Sequence, residues 1–134
     1  VSLIVDTNIL LRAMIVDHDV ESPKAQALLA SNEVIIPNQT LCELVWVLRR
    51  LYKRSQSDLV TAIRTWMNVQ TVALDRGAVE AGLTFLEAGG DFADGVIEFE
   101  GRKLGGDTFA TFDKRAASIT RAKGRDCLLL SDAS

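Results

Sequence analysis

The sequence predicts an α/β protein: a single domain over residues 1–134, built on a five-stranded parallel sheet flanked by helices. Three observations lead there. Short, mostly apolar runs recur along the chain, each separated from the next by a stretch with helical caps or periodicity. Runs of three to six mostly apolar residues alternating with helices are the pattern of a parallel sheet covered on both faces. The length, with 48% hydrophobic and 25% charged residues, suits one ordinary globular core.

The elements follow in order. Val1 to Val5 reads as a first buried strand, and Thr7 to Val16 as a helix. Ser22-Pro23 marks a helix start, with Ser at N-cap and Pro at the first helical position. Val34 to Pro37 is a second strand, stopped by Pro37, and a helix follows to about Tyr52. Ser55 and Asp58 have capping-box spacing and open a helix to about Met67. Val69 to Leu74 is a third strand. Asp75 opens a helix that Gly89-Gly90 ends, and Asp91 caps one that Gly105-Gly106 ends. Thr108 to Phe112 is a fourth strand, Asp113 caps a short helix, and Cys127 to Leu130 is a fifth strand.

Composition excludes several functions. The net charge of −3 argues against a protein that grips nucleic acid by global positive charge. Local clusters remain at Arg49, Arg50, Lys53 and Arg54, at Lys114 and Arg115, and at Arg121, Lys123 and Arg125. Their plainest reading is solvated helix ends, where cations suit the dipole. No apolar run approaches the length of a membrane span, and no basic-led apolar segment opens the chain. Cys42 and Cys127 lack CxxC spacing and read as buried, reduced thiols, so a cytoplasmic location is expected. The one histidine, His18, reads as a surface loop residue; its solitude excludes a His-pair zinc site and makes a Ser-His-Asp hydrolase untenable. No Walker-type phosphate loop is present.

The carboxylates carry the functional signal. In open parallel sheets the ligand crevice lies beyond the carboxyl ends of the strands. Asp6 follows the first strand, Asp113 follows the fourth, Asp94 lies in the first turn after Asp91, and Glu43 lies in the first turns of the helix after the second strand. Each alone has a bland reading: Asp6, Asp91 and Asp113 as helix caps, Glu43 as partner of Arg49, Arg50 or a distant arginine. Glu43 sits in the apolar stretch Thr40–Arg50, where an ionised carboxylate needs a positive counter-charge. Together the acids predict a cluster of hard oxygen donors, suited to Mg²⁺ or Mn²⁺ rather than zinc.

The blocks "LIVDTNILL", "LCELVWVL", "GGDFADGVI" and "ATFDKRA" together resemble a PIN-domain ribonuclease, nearest to the VapC-type toxins of bacterial toxin–antitoxin pairs. The resemblance runs from Leu3 to the last strand. It implies that Asp6, Glu43, Asp94 and Asp113 form the catalytic metal-binding quartet, with Asn8 and Thr111 as supporting polar residues. Asp91 and Glu98 lie near the cluster without being expected as ligands. The resemblance further implies Mg²⁺ as cofactor (Mn²⁺ substituting), single-stranded or loop RNA as substrate (tRNA or rRNA), a VapB-like antitoxin and a homodimer. Arg49, Arg50, Lys114 and Arg115 are the residues expected to guide the RNA backbone.

Two alternatives compete. A receiver- or phosphatase-like Mg²⁺ enzyme would need a phospho-acceptor Asp and a Lys at strand ends, or Asp-x-Asp after the first strand; the chain has Asp6-Thr7-Asn8 there. A non-catalytic binding module on the PIN scaffold is opposed by the intact quartet.

Overall fold

The computed structural model describes residues 2–130. The chain divides after Arg76 into two compact units. The first begins with β1 (Ser2–Ile4); Val1, the start of the expected first strand, lies outside the described residues. It continues through α1 (Thr7–Met14), α2 (Glu21–Ser31), β2 (Glu33–Ile35), α3 (Asn38–Arg50), α4 (Gln56–Met67) and β3 (Val72–Ala73). The three strands form one parallel sheet in the order β1-β2-β3, with Leu3 opposite Val34 and Val34 opposite Val72. Leu10, Leu41, Leu44, Leu59 and Ile63 are fully buried, one face of each helix supplying them at helical spacing.

Local chemistry sets the ends. Ser55 caps α4 through its hydroxyl on the Asp58 amide, as the capping-box spacing predicts. Helix α2 starts one residue before the expected Ser22 cap. His18 Nδ1 accepts the amides of Val20 (3.3 Å) and Glu21 (3.0 Å), so the histidine does the capping. Pro23 then falls at the third helical position, still within the turn whose amides need no intrahelical acceptor. Ser22 is buried and its hydroxyl donates to the Ile15 carbonyl. Helix α3 ends where Lys53 turns to φ +54° and the Arg54 amide reaches back to the Leu48 carbonyl. The expected strand Val69–Leu74 contracts to two residues, because the amides of Val69 and Val72 are taken by turn bonds to Trp66 and Val69.

The second unit holds α5 (Arg76–Glu87), α6 (Phe92–Lys103), β4 (Thr108–Thr111), α7 (Lys114–Ala122) and β5 (Asp126–Leu129). Strands β4 and β5 pair in parallel, Phe109 opposite Cys127. A core of Phe85, Ala116 and Ile119, with Phe109 against it, joins α5, β4 and α7. Helices α5 and α6 approach so closely that a Cβ on Gly95 would strike the backbone of Ala81, and one on Gly82 would meet the Phe92 ring at 2.7 Å. At the end of α5, Gly89 takes φ +87° and the Gly90 amide returns to the Phe85 carbonyl, as the double glycine predicts.

Two expectations need correction. Among the described residues the fold is α/β with seven helices, but the strands form a three-stranded and a two-stranded parallel sheet, not one sheet of five. The ladder bonds close within each unit: β1 to β2 to β3, and β4 to β5. Nor are the strands covered on both faces. Exposure alternates along β1, β4 and β5, and Ile4 is 75% exposed. A mostly apolar run therefore does not report two-sided burial here, since neighbouring side chains point to opposite faces. Both cysteines are thiols and half-buried rather than fully buried.

Candidate metal and RNA site

In the first unit, Asp6 stands just past β1 as the N-cap of α1. It is extended in backbone, and its Oδ1 accepts the Ile9 amide at 3.1 Å. The cap reading and the ligand reading are compatible, because the bond fixes one oxygen and orients the other. The next residue, Thr7, donates its hydroxyl to Glu43 Oε2 at 2.9 Å and lies 3.3 Å from the Thr40 carbonyl. Thr40, buried, donates in turn to the Val5 carbonyl at 3.1 Å. These bonds fasten the end of β1 and the start of α1 to α3.

Glu43 is therefore not stranded among apolar side chains. Leu41, Leu44, Val45 and Leu48 face the core, whereas Glu43 is exposed on the opposite side of α3, with Gln39 Nε2 3.4 Å from its Oε1. Its partners are neutral donors, and no counter-cation is required by burial. Asn8, expected beside the first acid, lines a groove of about 240 Å³ between α1 and α2 with Ile9, Arg12, Glu21 and Leu28.

In the second unit, Asp91 caps α6 through the Ala93 amide, and Asp94 follows in the first turn. Asp94 is half-buried, and its pKa is pushed up to about 6 by burial first, then by the charges of Asp91 and Asp113. A carboxylate so placed is one that a cation would stabilise strongly. Asp113 stands two residues past β4 rather than directly after it, with the exposed Phe112 between them. Its Oδ1 accepts the amides of Arg115 (2.8 Å) and Ala116 (3.0 Å), while its own amide donates to Thr111 Oγ1 at 3.0 Å. Thr111 thus holds the backbone that presents Asp113.

Glu98, one turn beyond Asp94, is committed elsewhere. Its side chain, 4% exposed, bonds Arg102 at 2.7 Å and Arg125 at 3.0 Å. Lys123 nearby is lowered in pKa by burial, then by Arg125, with Glu98 opposing and Arg102 adding to the shift. That group ties α6 to the turn before β5.

Of the basic residues, Arg49, Arg50, Lys114 and Arg115 are all exposed. Arg50 lies over the Trp46 ring at 5.9 Å, and the Arg115 guanidinium lies where a Cβ on Gly89 would be. Sequence reasoning missed Thr7, Thr40 and Gln39, the residues that hold Glu43. Thr7 and Thr40 stand among polar and apolar neighbours with no periodic signal, and only the approach of α1 to α3 gives them a role.

The structure thus links Glu43 to the residue after Asp6 in one unit, and brings Asp94 within the field of Asp91 and Asp113 in the other. Among the described residues, no three His, Cys, Asp or Glu side chains already stand as a metal cage. The donors are nevertheless all carboxylate oxygens, the chemistry Mg²⁺ and Mn²⁺ take.

The PIN domain family model matches residues 3–122. Among solved structures, VapC20 of Mycobacterium tuberculosis, a sarcin–ricin loop cleaving toxin, is similar at a TM-score of 0.43 and 20% identity, over 88% of this chain and 94% of that one. No curated protein matches the chain.

Proposed function

Because the chain belongs to the PIN-domain family, whose members are nucleases, we propose that it is a Mg²⁺-dependent endoribonuclease. In this reading it cleaves single-stranded or loop RNA, with tRNA or rRNA as the target class, and acts as the toxin of a VapC-type pair held in check by a VapB-like antitoxin. The chain is read as one PIN domain, homodimeric and cytoplasmic; among the described residues no helix is long and apolar enough to cross a membrane. The observation that carries the proposal is the match of the PIN family model to nearly the whole chain; Asp94, half-buried and beside Asp91 and Asp113, supports it with a pKa raised to about 6 by burial first and by those two charges second.

Asp6, Asp94 and Asp113 are assigned as the principal metal ligands. Divalent metal, when bound, would supply a more acidic water and neutralise charge on the phosphate. The residues of the chain do the rest. The cap bonds on Asp6 and Asp113 leave Oδ2 of each outside the cap and fix its direction. Glu43, steadied by Thr7 and Gln39, would either bind the metal with the three aspartates or orient the attacking water. Thr111 keeps Asp113 in place through its amide. Asn8, which lines the groove between α1 and α2, is kept as a supporting residue on the family pattern alone. Arg49, Arg50, Lys114 and Arg115 offset the negative charge of the RNA backbone, which the net charge of −3 would otherwise repel. Hydrolysis by water needs no covalent intermediate and leaves a 5′-phosphate and a 3′-hydroxyl.

The test is cleavage of single-stranded RNA by the purified chain. Activity is expected with Mg²⁺ or Mn²⁺, lost in excess chelator, restored by Mn²⁺, and abolished by Asp6→Asn in a protein with unchanged circular dichroism. Undiminished cleavage in chelator, or full activity of Asp6→Asn, overturns the proposal. Sequencing RNA 5′ ends after brief expression, beside an Asp94→Asn control, identifies the target.

A further inference from the structure

One face of α3 carries more than Glu43. Trp46 follows Glu43 by three residues and Arg50 follows it by seven, so the three side chains lie in a row along the helix, with neighbours about 5–6 Å apart at Cβ. Trp46 is 56% exposed, although Leu44, Val45 and Leu48 around it in sequence are buried. A tryptophan is ordinarily buried, and an exposed one needs a reason. The Arg50 guanidinium lies 5.9 Å from its ring centroid, near the outer limit of a cation–π contact, and so is close without being tightly stacked. Beyond it the basic run continues through Lys53 and Arg54 past the exposed Tyr52. Exposed aromatic rings interleaved with cations are the surface that single-stranded nucleic acid takes: rings for the bases, cations for the phosphates.

We propose that Trp46 is a base-stacking platform for single-stranded RNA, with Arg50 closing over the stacked base and Arg49 and Lys53 holding the phosphates that follow. The inference rests on the ribonuclease reading and deepens it. It places the stacked nucleotide one helical turn from Glu43, hence next to the scissile linkage. Charge favours RNA over a protein partner here: Arg49 and Arg50 are exposed in the last turn of the same helix and Lys53 follows it, whereas the centres of protein interfaces are depleted of charge. Duplex RNA has no unstacked base to offer, so the platform selects single strands and loops.

The test uses the full chain with Trp66→Phe, which leaves Trp46 as the only tryptophan. It is titrated in chelator with a short oligouridylate and with a blunt RNA duplex. The expected result is saturable quenching by the single strand and none by the duplex. Trp46→Ala, measured by filter binding, should weaken single-strand affinity roughly ten-fold or more, while Trp46→Phe keeps most of it. If Trp46→Ala lost its helical circular dichroism, the quenching and the Trp46→Phe titration would still decide. Absence of quenching, or unchanged affinity in Trp46→Ala, overturns the proposal. So does light scattering in which Trp46→Ala turns a dimer into a monomer while RNA affinity holds, since a second copy then covers this face. Chelator separates the two readings. Quenching without any Mg²⁺-dependent cleavage sinks the ribonuclease alone, and cleavage with an unquenched Trp46 sinks the platform alone.

Discussion

Asp94 shows how one side chain couples stability to pH. Its folded pKa of about 6 lies above the ordinary 3.8, so between those values the native state holds a proton that the unfolded chain has lost. Stability from this group is therefore present at low pH and falls away as pH rises through about 6. Asp94→Asn removes that loss. In metal-free protein the variant should melt above wild type at pH 8, with the difference closing toward pH 4; equal melting temperatures at pH 8 would contradict the assignment. If Asp94 is a metal ligand as proposed, protons compete with the ion, and Mn²⁺ affinity, followed by calorimetry, should fall as pH drops below about 6. Thr7 makes a second case. Thr7→Val takes the short hydrogen bond from Glu43 at a stability cost of about 1 kcal/mol. Cleavage should drop about ten-fold or more, the usual loss when a side chain that orients a site residue is removed.

At the scale of elements, the α5–α6 crossing and the Glu98 ion pairs place Asp94. Gly95 sits next to Asp94, where a methyl group would strike the Ala81 backbone. Gly95→Ala should therefore cost about 1–3 kcal/mol in urea denaturation, a backbone being unable to yield as a side chain does. A neutral result would mean that the helices separate easily. Glu98 is nearly fully buried between Arg102 and Arg125, which spans α6 and the start of β5. Arg125→Met leaves that carboxylate with half of its charge-assisted bonds and should cost about 1.5–3 kcal/mol. Helix ends were the most legible part of the sequence. Asp6, Ser55, Asp91 and Asp113 all cap as their positions suggested, because a cap depends on residues a few positions apart. The start of α2 was not legible: the capping atom belongs to His18, outside the usual set of capping residues.

For the whole molecule, metal binding is the property to measure. An ion that binds only the folded chain stabilises it by about 2.7 kcal/mol at a hundred-fold excess over its Kd. Mn²⁺ or Mg²⁺ should accordingly raise the melting temperature, chelator should reverse the rise, and the Asp6→Asn and Asp113→Asn variants should show little of it. No shift in wild-type protein would leave the carboxylates as helix caps alone. Basic side chains grouped on a chain of net charge −3 also predict RNA affinity that declines steeply with salt, through release of counterions.

The sequence by itself determined the α/β class, the order of helices and strands, the capping acids and the membership that four short blocks announce. All of these depend on residue type and short spacing. Only the tertiary structure decided that the described strands fall into two sheets, that Glu43 faces solvent in the grip of Thr7, that Glu98 belongs to two arginines, and that Asp94 feels Asp91 and Asp113. Those facts arise from segments far apart in the chain meeting in space, and from which face of a helix or strand is turned to the core. Hydrogen-bond ladders, burial and electrostatic fields fix both, and no local pattern encodes them.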